Sequence, residues 1–591
     1  MKTLKTMKTK LVLFALAVSL VPGLSSCISP GEFDGGQIID YNRAILNATP
    51  QPRGTGRLGP LQPAPGTTGP MLRVDTDETG QSFIYLSLDE AVQRALANSI
   101  DIQVISYDPA IAREQAMQAA AAFDYVLFAG AQYQKSLPPS LFGLDTTTRT
   151  TAYQVGLQQN TVTGGTWQLT GTWTRTLDNS LIDQYRRFYQ PTLSLQVQQP
   201  LLRNAGPEVN LAQLRIAQLN YRNTTAQFRQ RVESVINGVV DGYWALIQAR
   251  TNVEIQEELL RATEETRDRI RKRVEIDATL VELKQAEAAV ESRRATLYRA
   301  QKSVFDVQDQ LARLMADAQI NTVCPYEIIP TTPPSKILVV IDPVDQLALA
   351  LVYNPQLEQA RLAISASQIA VRVAKNQTLP SLNLQAGVSS SAIDTSASQA
   401  LKDVFSFEEL GYSLGLMLEY PIGNRQALAL WRQRQYEVGR SISTLQNLSD
   451  NLALTINERL RQINTSYKEM QATRLAVDAS AAQLEALNSI ERVRGRLTPE
   501  FLQLKLNAQE SLANARFTEM GAIVSYNQAL ADLAMVTGTI LQQYGIAMEK
   551  MPNVIENRGW TVMQGDTPAR PIDLTLPGNT SQGEFDIPGN P

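Results

Sequence analysis

The stretch LSLQVQQPLLRNAG, residues Leu193–Gly206, begins as one kind of structure and ends as another. Leu193, Leu195 and Val197 alternate with polar residues, which is the period of a β-strand with one apolar face. At Pro200 the alternation stops, and a turn leads into a sequence with helical periodicity. The stretch LGLMLEYPIGNRQ, Leu414–Gln426, makes the same change at Pro421, so we predict two internal repeats.

The composition excludes several classes of function. A chain of 591 residues exceeds what one small core requires, so at least two structural units are expected. The 54 basic and 58 acidic residues give a formal charge of -4 without a basic block, which argues against a nucleic-acid partner. Histidine is absent, which excludes Ser-His-Asp catalysis and His-ligated zinc. This removes many enzyme classes; our expectation for the chain is no enzyme activity, no metal site and no cofactor.

The start of the chain has the pattern of an export signal. Lysines precede the apolar run LVLFALAVSL, which is too short for a membrane-spanning helix. The following LSSC, Leu24–Cys27, resembles the bacterial lipobox, so we predict a signal peptide over residues 1–26 and lipid attachment at Cys27. The alternatives are an ordinary signal peptide with a chance cysteine, or a disulfide between Cys27 and Cys324. Ile28, by resemblance to enterobacterial sorting rules, indicates delivery to the outer membrane.

The remaining chain divides by composition and by repeat. Residues 27–80 are rich in Pro and Gly and are predicted to be a lipidated flexible tether. Residues 81–317 form the first repeat, 318–341 an inter-repeat linker, 342–545 the second repeat, and 546–591 a C-terminal segment ending in a disordered tail. The number of residues that separates equivalent positions of the two repeats is larger near the start of the repeats than at their strand-to-helix junctions. The first repeat therefore contains an insertion, which we place at about 137–176.

Each repeat contains strand-like runs. YVLFAGAQY (125–133), SLNLQAGV (381–388) and YSLGLMLEY (412–420) set apolar side chains on one face against small and polar ones on the other. Periodicity alone fits either a soluble sheet packed on a core or the wall of a membrane barrel. Tyrosines at the ends of two apolar faces favour the barrel, whose interfaces carry aromatic girdles.

Long helices follow the strands. No proline interrupts the apolar periodicity of residues 208–269 or 426–492, and roughly 60 residues of helix span about 90 Å. A second helical segment follows each, so every repeat is predicted to form a long antiparallel helical hairpin. The carboxylates on these helices are interpreted as solvated surface, because no apolar pocket that could raise the pKa of one of them is evident.

Together these segments resemble the TolC family of outer-membrane efflux proteins. The resemblance covers Leu86–Gln543 in both repeats. QPLLRNAG and YPIGNRQ resemble the two strand-to-helix junctions of the family, and DGYWALIQA (Asp241–Ala249) and YNQALADLAMVTGTIL (Tyr526–Leu541) resemble family segments in matching places.

The resemblance implies a mixed α and β membrane protein with two internal repeats. In that fold three copies share one β-barrel, to which each contributes four strands, and the barrel continues as a long periplasmic α-helical barrel. The implied function is a passive exit duct of a tripartite efflux or type I secretion system in the outer membrane. The implied partners are two further copies, outer-membrane lipid, a periplasmic adaptor and an inner-membrane pump. The alternatives are a structural coiled-coil lipoprotein or a periplasmic enzyme.

The resemblance also assigns functional positions. The tip of the second helical hairpin is RGRLTPE, and the tip of the first, RKRVEIDATL, lacks a glycine equivalent to Gly495. The residues expected to contact the adaptor are Arg494, Gly495, Arg496, Leu497 and Thr498 in the second tip, and Arg271 and Arg273 in the first. The residues expected at the strand-to-helix junctions are Pro200, Leu201, Leu202, Pro421, Ile422, Gly423 and Asn424.

The insertion is predicted to form a β-hairpin around Gly164 and Gly165. Two placements fit: an extension of the extracellular loop, or two further membrane strands that would give six per chain. The apolar face from Tyr153 to Leu157 is short for a strand that must span with about 9–11 residues. We therefore expect the hairpin to lie at the cell surface.

Overall fold

A computed structural model describes residues 73–76, 82–136, 147–178, 186–273, 279–317, 320, 326–493 and 498–546. Cys27, Cys324, residues 494–497, the signal peptide and the C-terminal tail lie outside the described residues. No described helix combines the length and the apolarity needed to cross a membrane.

The first repeat begins with two helices that lead into strands. Ser87 and Glu90 form a capping box: the Glu90 backbone N–H donates to Ser87 Oγ at 3.3 Å, and the Ser87 N–H donates to Glu90 Oε2 at 3.0 Å. The elements of this repeat are α1 (Leu88–Asn98), α2 (Ile100–Ala120), β3 (Val126–Ser136), β4 (Thr148–Asn160), β5 (Thr166–Asp178), β6 (Arg187–Pro200), α3 (Pro207–Asn210), α4 (Ala212–Arg273) and α5 (Leu280–Met315).

The second repeat follows the same order without the insertion. Asp342 caps its first helix by accepting the Val344 N–H at 2.9 Å, and Asn354 caps its second by accepting the Gln356 N–H at 2.8 Å. Its elements are α6 (Pro343–Tyr353), α7 (Pro355–Asn376), β8 (Ser381–Ser391), α8 (Ala397–Ser406), β9 (Leu410–Glu419), α9 (Arg425–Val493), α10 (Pro499–Thr537) and α11 (Ile540–Gln543). The described long helices, α4 and α9, are 62 and 69 residues long, close to the predicted spans.

A small sheet joins the two repeats. It contains β1 (Arg73–Thr76), β2 (Ser82–Leu86) and β7 (Tyr326–Pro330), in the order β1-β2-β7. β1 lies within the range predicted as tether, and β7 lies within the predicted linker. β2 pairs antiparallel with β1 and parallel with β7. The backbone groups of these short strands therefore find their hydrogen-bond partners in the neighbouring strands of the sheet.

The second sheet corrects the expected placement of the hairpin. Its order is β3-β4-β5-β6-β8-β9, and all neighbours pair antiparallel. β4 and β5 are each 13 residues long and pair along their length with β3 and β6, so they are part of this sheet and not a surface extension. In the described part of the chain this sheet therefore contains six strands, where the family resemblance implied four per chain. The sequence prediction underestimated the length of the apolar face, because it counted apolar residues alone. Thr151 and Gly171, which are not large apolar residues, also lie on that face.

A buried tyrosine in each repeat anchors a connecting segment. The Tyr243 hydroxyl, which is fully buried, donates to the Leu86 carbonyl at 3.1 Å and accepts the Thr332 N–H at 2.8 Å. The Tyr526 hydroxyl donates to the Ile337 carbonyl at 2.6 Å and accepts the Val339 N–H at 3.2 Å. These bonds hold the segment between the repeats against the helical core.

Candidate functional site

The six-stranded sheet has two chemically different faces. Directly paired residues share a face, so the register assigns every side chain to one side of the sheet. Leu195, for example, pairs with both Leu169 and Val388, while Gln196 pairs with Gln168 and Gly387.

The apolar face carries aliphatic and aromatic side chains, of which Leu127, Leu414 and Leu418 are 74%, 77% and 67% exposed. Its members include Leu127, Tyr153, Val155, Leu157, Trp167, Leu169, Trp173, Leu193, Leu195, Val197, Leu382, Leu384, Val388, Tyr412, Leu414, Leu416 and Leu418. The polar face carries Gln, Thr, Ser and Gly, and its members include Gln132, Gln154, Gln158, Gln168, Thr170, Thr172, Thr174, Ser194, Gln196, Gln198, Gln385 and Ser413. A membrane barrel requires this division between a lipid side and a water-filled interior.

Aromatic rings lie at two levels of the apolar face. Near the junction end the rings of Tyr125 and Trp167 are 6.1 Å apart, and near the opposite end those of Trp173 and Tyr189 are 5.8 Å apart. Trp167 and Trp173 belong to β5 and lie about 20 Å apart along that strand. Two such levels match the aromatic girdles at the two interfaces of a membrane barrel.

The first strand-to-helix junction lies between β6 and α3. Pro200 is the last residue of β6, and the next residue, Leu201, donates its N–H to the Leu382 carbonyl at 2.8 Å. Leu202 accepts a bond from Asn376 Nδ2 at 3.4 Å, and Asn204, with a φ of 64°, donates its N–H to Asn376 Oδ1 at 2.7 Å. The chain therefore turns from strand to helix while it is hydrogen-bonded to residues 376–380. These residues comprise the end of α7 and the connector that leads to β8.

The second junction is fastened to the same connector. Pro421 and Ile422 follow β9, and Gly423 and Asn424 have φ values of 91° and 38°. Asn424 donates its N–H to the Pro421 carbonyl at 3.2 Å, and its side-chain Nδ2 to the Thr378 carbonyl at 2.8 Å. The two predicted junction groups, far apart in the sequence, therefore meet on residues 376–380.

The turn of the β4–β5 hairpin lies at this same end. Thr163 accepts the Gly206 N–H at 3.0 Å and Gln199 Nε2 at 3.2 Å through its carbonyl oxygen. Gly164 has a φ of 91°, and a Cβ there would approach the Asn204 carbonyl oxygen to 2.2 Å. The hairpin therefore points its turn toward the long helices.

A polar cluster lies between three helices of the two repeats. Asn237 Nδ2 donates to Asp241 Oδ2 at 3.2 Å and to Asp532 Oδ1 at 3.0 Å, and Arg459 pairs with Asp532 at 3.0 Å. Burial and the neighbouring Asp532 raise the pKa of Asp241 to about 6, while Arg459 acts in the opposite direction. Sequence patterns do not reveal this cluster, because its members come from three helices.

The hairpin tips are described in part. Arg271 and Arg273 lie in the last turn of α4, and Arg271 lies 3.9 Å from Glu287 of α5. Thr498 caps α10 by accepting the Phe501 N–H at 3.3 Å, whereas Arg494, Gly495, Arg496 and Leu497 lie outside the described residues. Close to this tip, buried Lys505 forms an ion pair with Glu491.

Two comparisons identify what this architecture resembles. Residues 347–539, which cover most of the second repeat, match the family model described as outer membrane efflux protein. The resemblance predicted from the two junctions is thereby confirmed. No curated protein matches the chain.

Solved structures share the fold. The fold is similar to that of CusC, described in connection with folding and transmembrane channel formation, with a TM-score of 0.57 at 15% identity over 76% of this chain and 92% of that one. The Campylobacter jejuni CmeC outer membrane channel matches with a TM-score of 0.56 at 14% identity over 77% and 86%. The Vibrio cholerae outer membrane protein VceC matches with a TM-score of 0.56 at 16% identity over 76% and 96%. These three matches show a shared fold.

Proposed function

We propose that this chain, whose second repeat belongs to the outer membrane efflux protein family, forms the outer-membrane exit duct of a tripartite efflux or type I secretion system. The two-faced sheet would be part of the membrane wall, and the long helices would continue the duct into the periplasm. The duct itself would be passive, with the driving energy supplied by the inner-membrane pump.

The observation that carries this proposal is the chemical division of the six-stranded sheet. A soluble sheet would cover its apolar face with helices, but Leu414, Leu416 and Leu418 are each at least 65% exposed. Hydrocarbon provides the missing cover, and the opposite row of Gln, Thr and Ser side chains provides a wettable lumen.

Further copies of the chain would complete the wall. A single six-stranded sheet leaves β3 and β9 with unpaired edges, which lipid does not tolerate. The helices that precede β3 and follow β9 also expose apolar side chains: Ile100, Val104 and Ile111 on α2, and Tyr436 and Leu454 on α9. We therefore propose a homotrimer in which the β3–α2 edge of one copy meets the β9–α9 edge of the next.

A trimer of six-stranded sheets would contain eighteen strands. The diameter of a barrel grows roughly linearly with strand number, so this wall would be about 1.5 times as wide as one built from four strands per chain. The inserted hairpin is thus proposed to enlarge the opening in the outer membrane.

The ends of the chain and of the helical hairpins supply the remaining contacts in this proposal. Lipid on Cys27 would anchor the N-terminus to the outer membrane. The periplasmic adaptor would bind the hairpin tips, through Arg494, Gly495, Arg496, Leu497 and Thr498 in the second repeat and Arg271 and Arg273 in the first.

Conductance of the purified protein in planar bilayers tests the proposed function. We expect discrete ion-conducting events, with selectivity shifted toward cations by Gln196→Glu on the polar face. Val155→Thr on the apolar face is the matched control and should leave selectivity unchanged. A structural coiled-coil lipoprotein would give no conductance, and that result would overturn the proposal.

A further inference from the structure

Four basic side chains lie together on the apolar face, at the end opposite the junctions. Lys135 of β3 pairs directly with Arg149 of β4, and Arg149 pairs with Leu177, which in turn pairs with Arg187 of β6. Arg175 lies two residues closer to the sheet centre, paired with Thr151 and Tyr189. We call Lys135, Arg149, Arg175 and Arg187 the basic row.

The basic row borders the aromatic level formed by Tyr153, Trp173 and Tyr189. Tyr153 and Trp173 are paired neighbours, and the rings of Trp173 and Tyr189 are 5.8 Å apart. Aromatic rings of this kind occupy the boundary between hydrocarbon and headgroups. The positions of the basic row therefore correspond to the headgroup layer of the leaflet farthest from the helices.

A short helix lies at the same level on the apolar face, farther along the sheet over β6 and β8. α8 packs against β6 and β8, and Ser390 on the apolar face donates to the Val404 carbonyl at 2.7 Å. Leu401 and Phe405 of α8 are 45% and 58% exposed and lie one turn apart, which suits a helix resting at an interface.

Protein groups do not neutralise the basic row in the described part of the chain. Lys135, Arg149 and Arg187 are exposed, and they form no ion pair with a described carboxylate. The Nε of Arg175 is buried without a hydrogen-bond partner among the described residues. Two acidic residues lie next to this level: Asp394 accepts the Ser396 N–H at 2.6 Å, and Asp178, which pairs with Thr148, forms no ion pair with the basic row among the described residues.

We propose that the basic row binds the phosphate groups of a phosphorylated glycolipid of the outer leaflet, of the lipid A class. Guanidinium groups match phosphate oxygens in geometry and charge. An amphiphile fits better than a free anion, because its acyl chains would cover the apolar face directly below the charges. This inference rests on the proposed function, since it requires the apolar face to contact lipid.

The test compares two charge-matched triple variants of the full-length protein in detergent. The first is Lys135→Gln with Arg149→Gln and Arg187→Gln; the control is Lys468→Gln with Arg461→Gln and Arg474→Gln on the exposed side of α9. Native mass spectrometry measures binding of bisphosphorylated lipid A, of a dephosphorylated lipid A analogue and of inorganic phosphate.

We expect the first variant to lose lipid A affinity on the order of 100-fold, about fivefold for each removed charge, while the control keeps it. Wild-type protein should bind the dephosphorylated analogue weakly, and Arg149→Lys should retain binding better than Arg149→Gln if the triple variant does not fold. Equal affinity of wild type and first variant would overturn the lipid site, as would equal binding of inorganic phosphate and lipid A. Wild-type conductance, measured on the same preparation, separates that failure from a failure of the proposed function.

Discussion

At the scale of single residues, Asp241 is a carboxyl group whose surroundings raise its pKa. It lies between Asn237, Asp532 and Arg459 in the helical part, where burial and Asp532 favour its neutral form. Because this cluster lies between helices of different repeats, we expect the packing of those helices to depend on pH.

We expect Asp241→Asn to stabilise the protein at pH 7.5 and not at pH 4.5. The pKa of Asp241 is raised from 3.8 to about 6 by folding, so its favourable contribution is complete below pH 3.8 and is lost as the pH rises through 6. Above that pH the charged form opposes folding by about 1–2 kcal/mol, a value reduced for partial exposure.

Thermal unfolding of the purified protein at the two pH values measures this difference. Asp309→Asn, at an exposed position of α5, is the control and should shift neither midpoint. An equal effect of Asp241→Asn at both pH values would contradict the role assigned to its ionisation.

At the scale of secondary-structure elements, the β4–β5 hairpin decides how the proposed membrane wall would be built. Its turn bonds to Gly206 and Gln199 at the junctions, and its strands pair with β3 and β6 along their length. A surface extension would place both ends of β4 outside the cell. A hairpin within the wall would place the two ends on opposite sides of the membrane.

We expect Asn160→Cys, in a Cys324→Ser background, to resist a maleimide carried on a polymer too large to enter the proposed duct in intact cells, and to react after the outer membrane is permeabilised. Asn160 lies at the turn end of β4 and is exposed. Ser136→Cys, in the exposed last residue of β3, which pairs with the opposite end of β4, is the control that should react in intact cells. Labelling of both positions in intact cells would contradict this prediction and would show that the hairpin lies at the cell surface.

Sequence patterns predicted the elements that depend on local residues. Uninterrupted apolar periodicity marked α4 and α9, and alternation of apolar and polar residues marked β3, β8 and β9. These patterns are formed by residues close together in the sequence, so they can be recognised without knowledge of any distant contact.

The features that sequence patterns did not predict depend on partners far along the chain. The strands β4 and β5 contain Thr151 and Gly171 on their apolar face, and only their pairing with β3 and β6 shows that face to be continuous. The four residues of the basic row come from four strands and become neighbours only in the final register. The Asp241 cluster likewise draws on three helices, which no single periodicity connects.

At the scale of the whole molecule, the proposed eighteen-stranded wall predicts a wider opening than a twelve-stranded one. We expect removal of residues 141–182, which contain β4, β5 and their turn, to lower the radius of the largest polymer that enters from the outer side by about a third. Polymer exclusion in planar bilayers measures this radius, with polymer added on one side at a time.

Electron microscopy of the intact protein provides a second measure, which does not depend on whether the shortened chain folds. Eighteen strands in the membrane section would agree with the polymer result. Twelve strands with the hairpin outside the wall would contradict the proposal, as would an unchanged polymer limit in a folded deletion variant.

The two-strand nature of the insertion has an evolutionary consequence. A single added strand would leave the chain on the wrong side of the membrane and reverse every element after it. A hairpin brings the chain back to the side from which it left, so β6 still ends at Pro200 and the helices that follow keep their direction. Ancestral genes could therefore gain or lose such hairpins one at a time without changing the contacts that the long helices make. Selection on the size of the outer opening would then be free to act separately from selection on the partners of the helices.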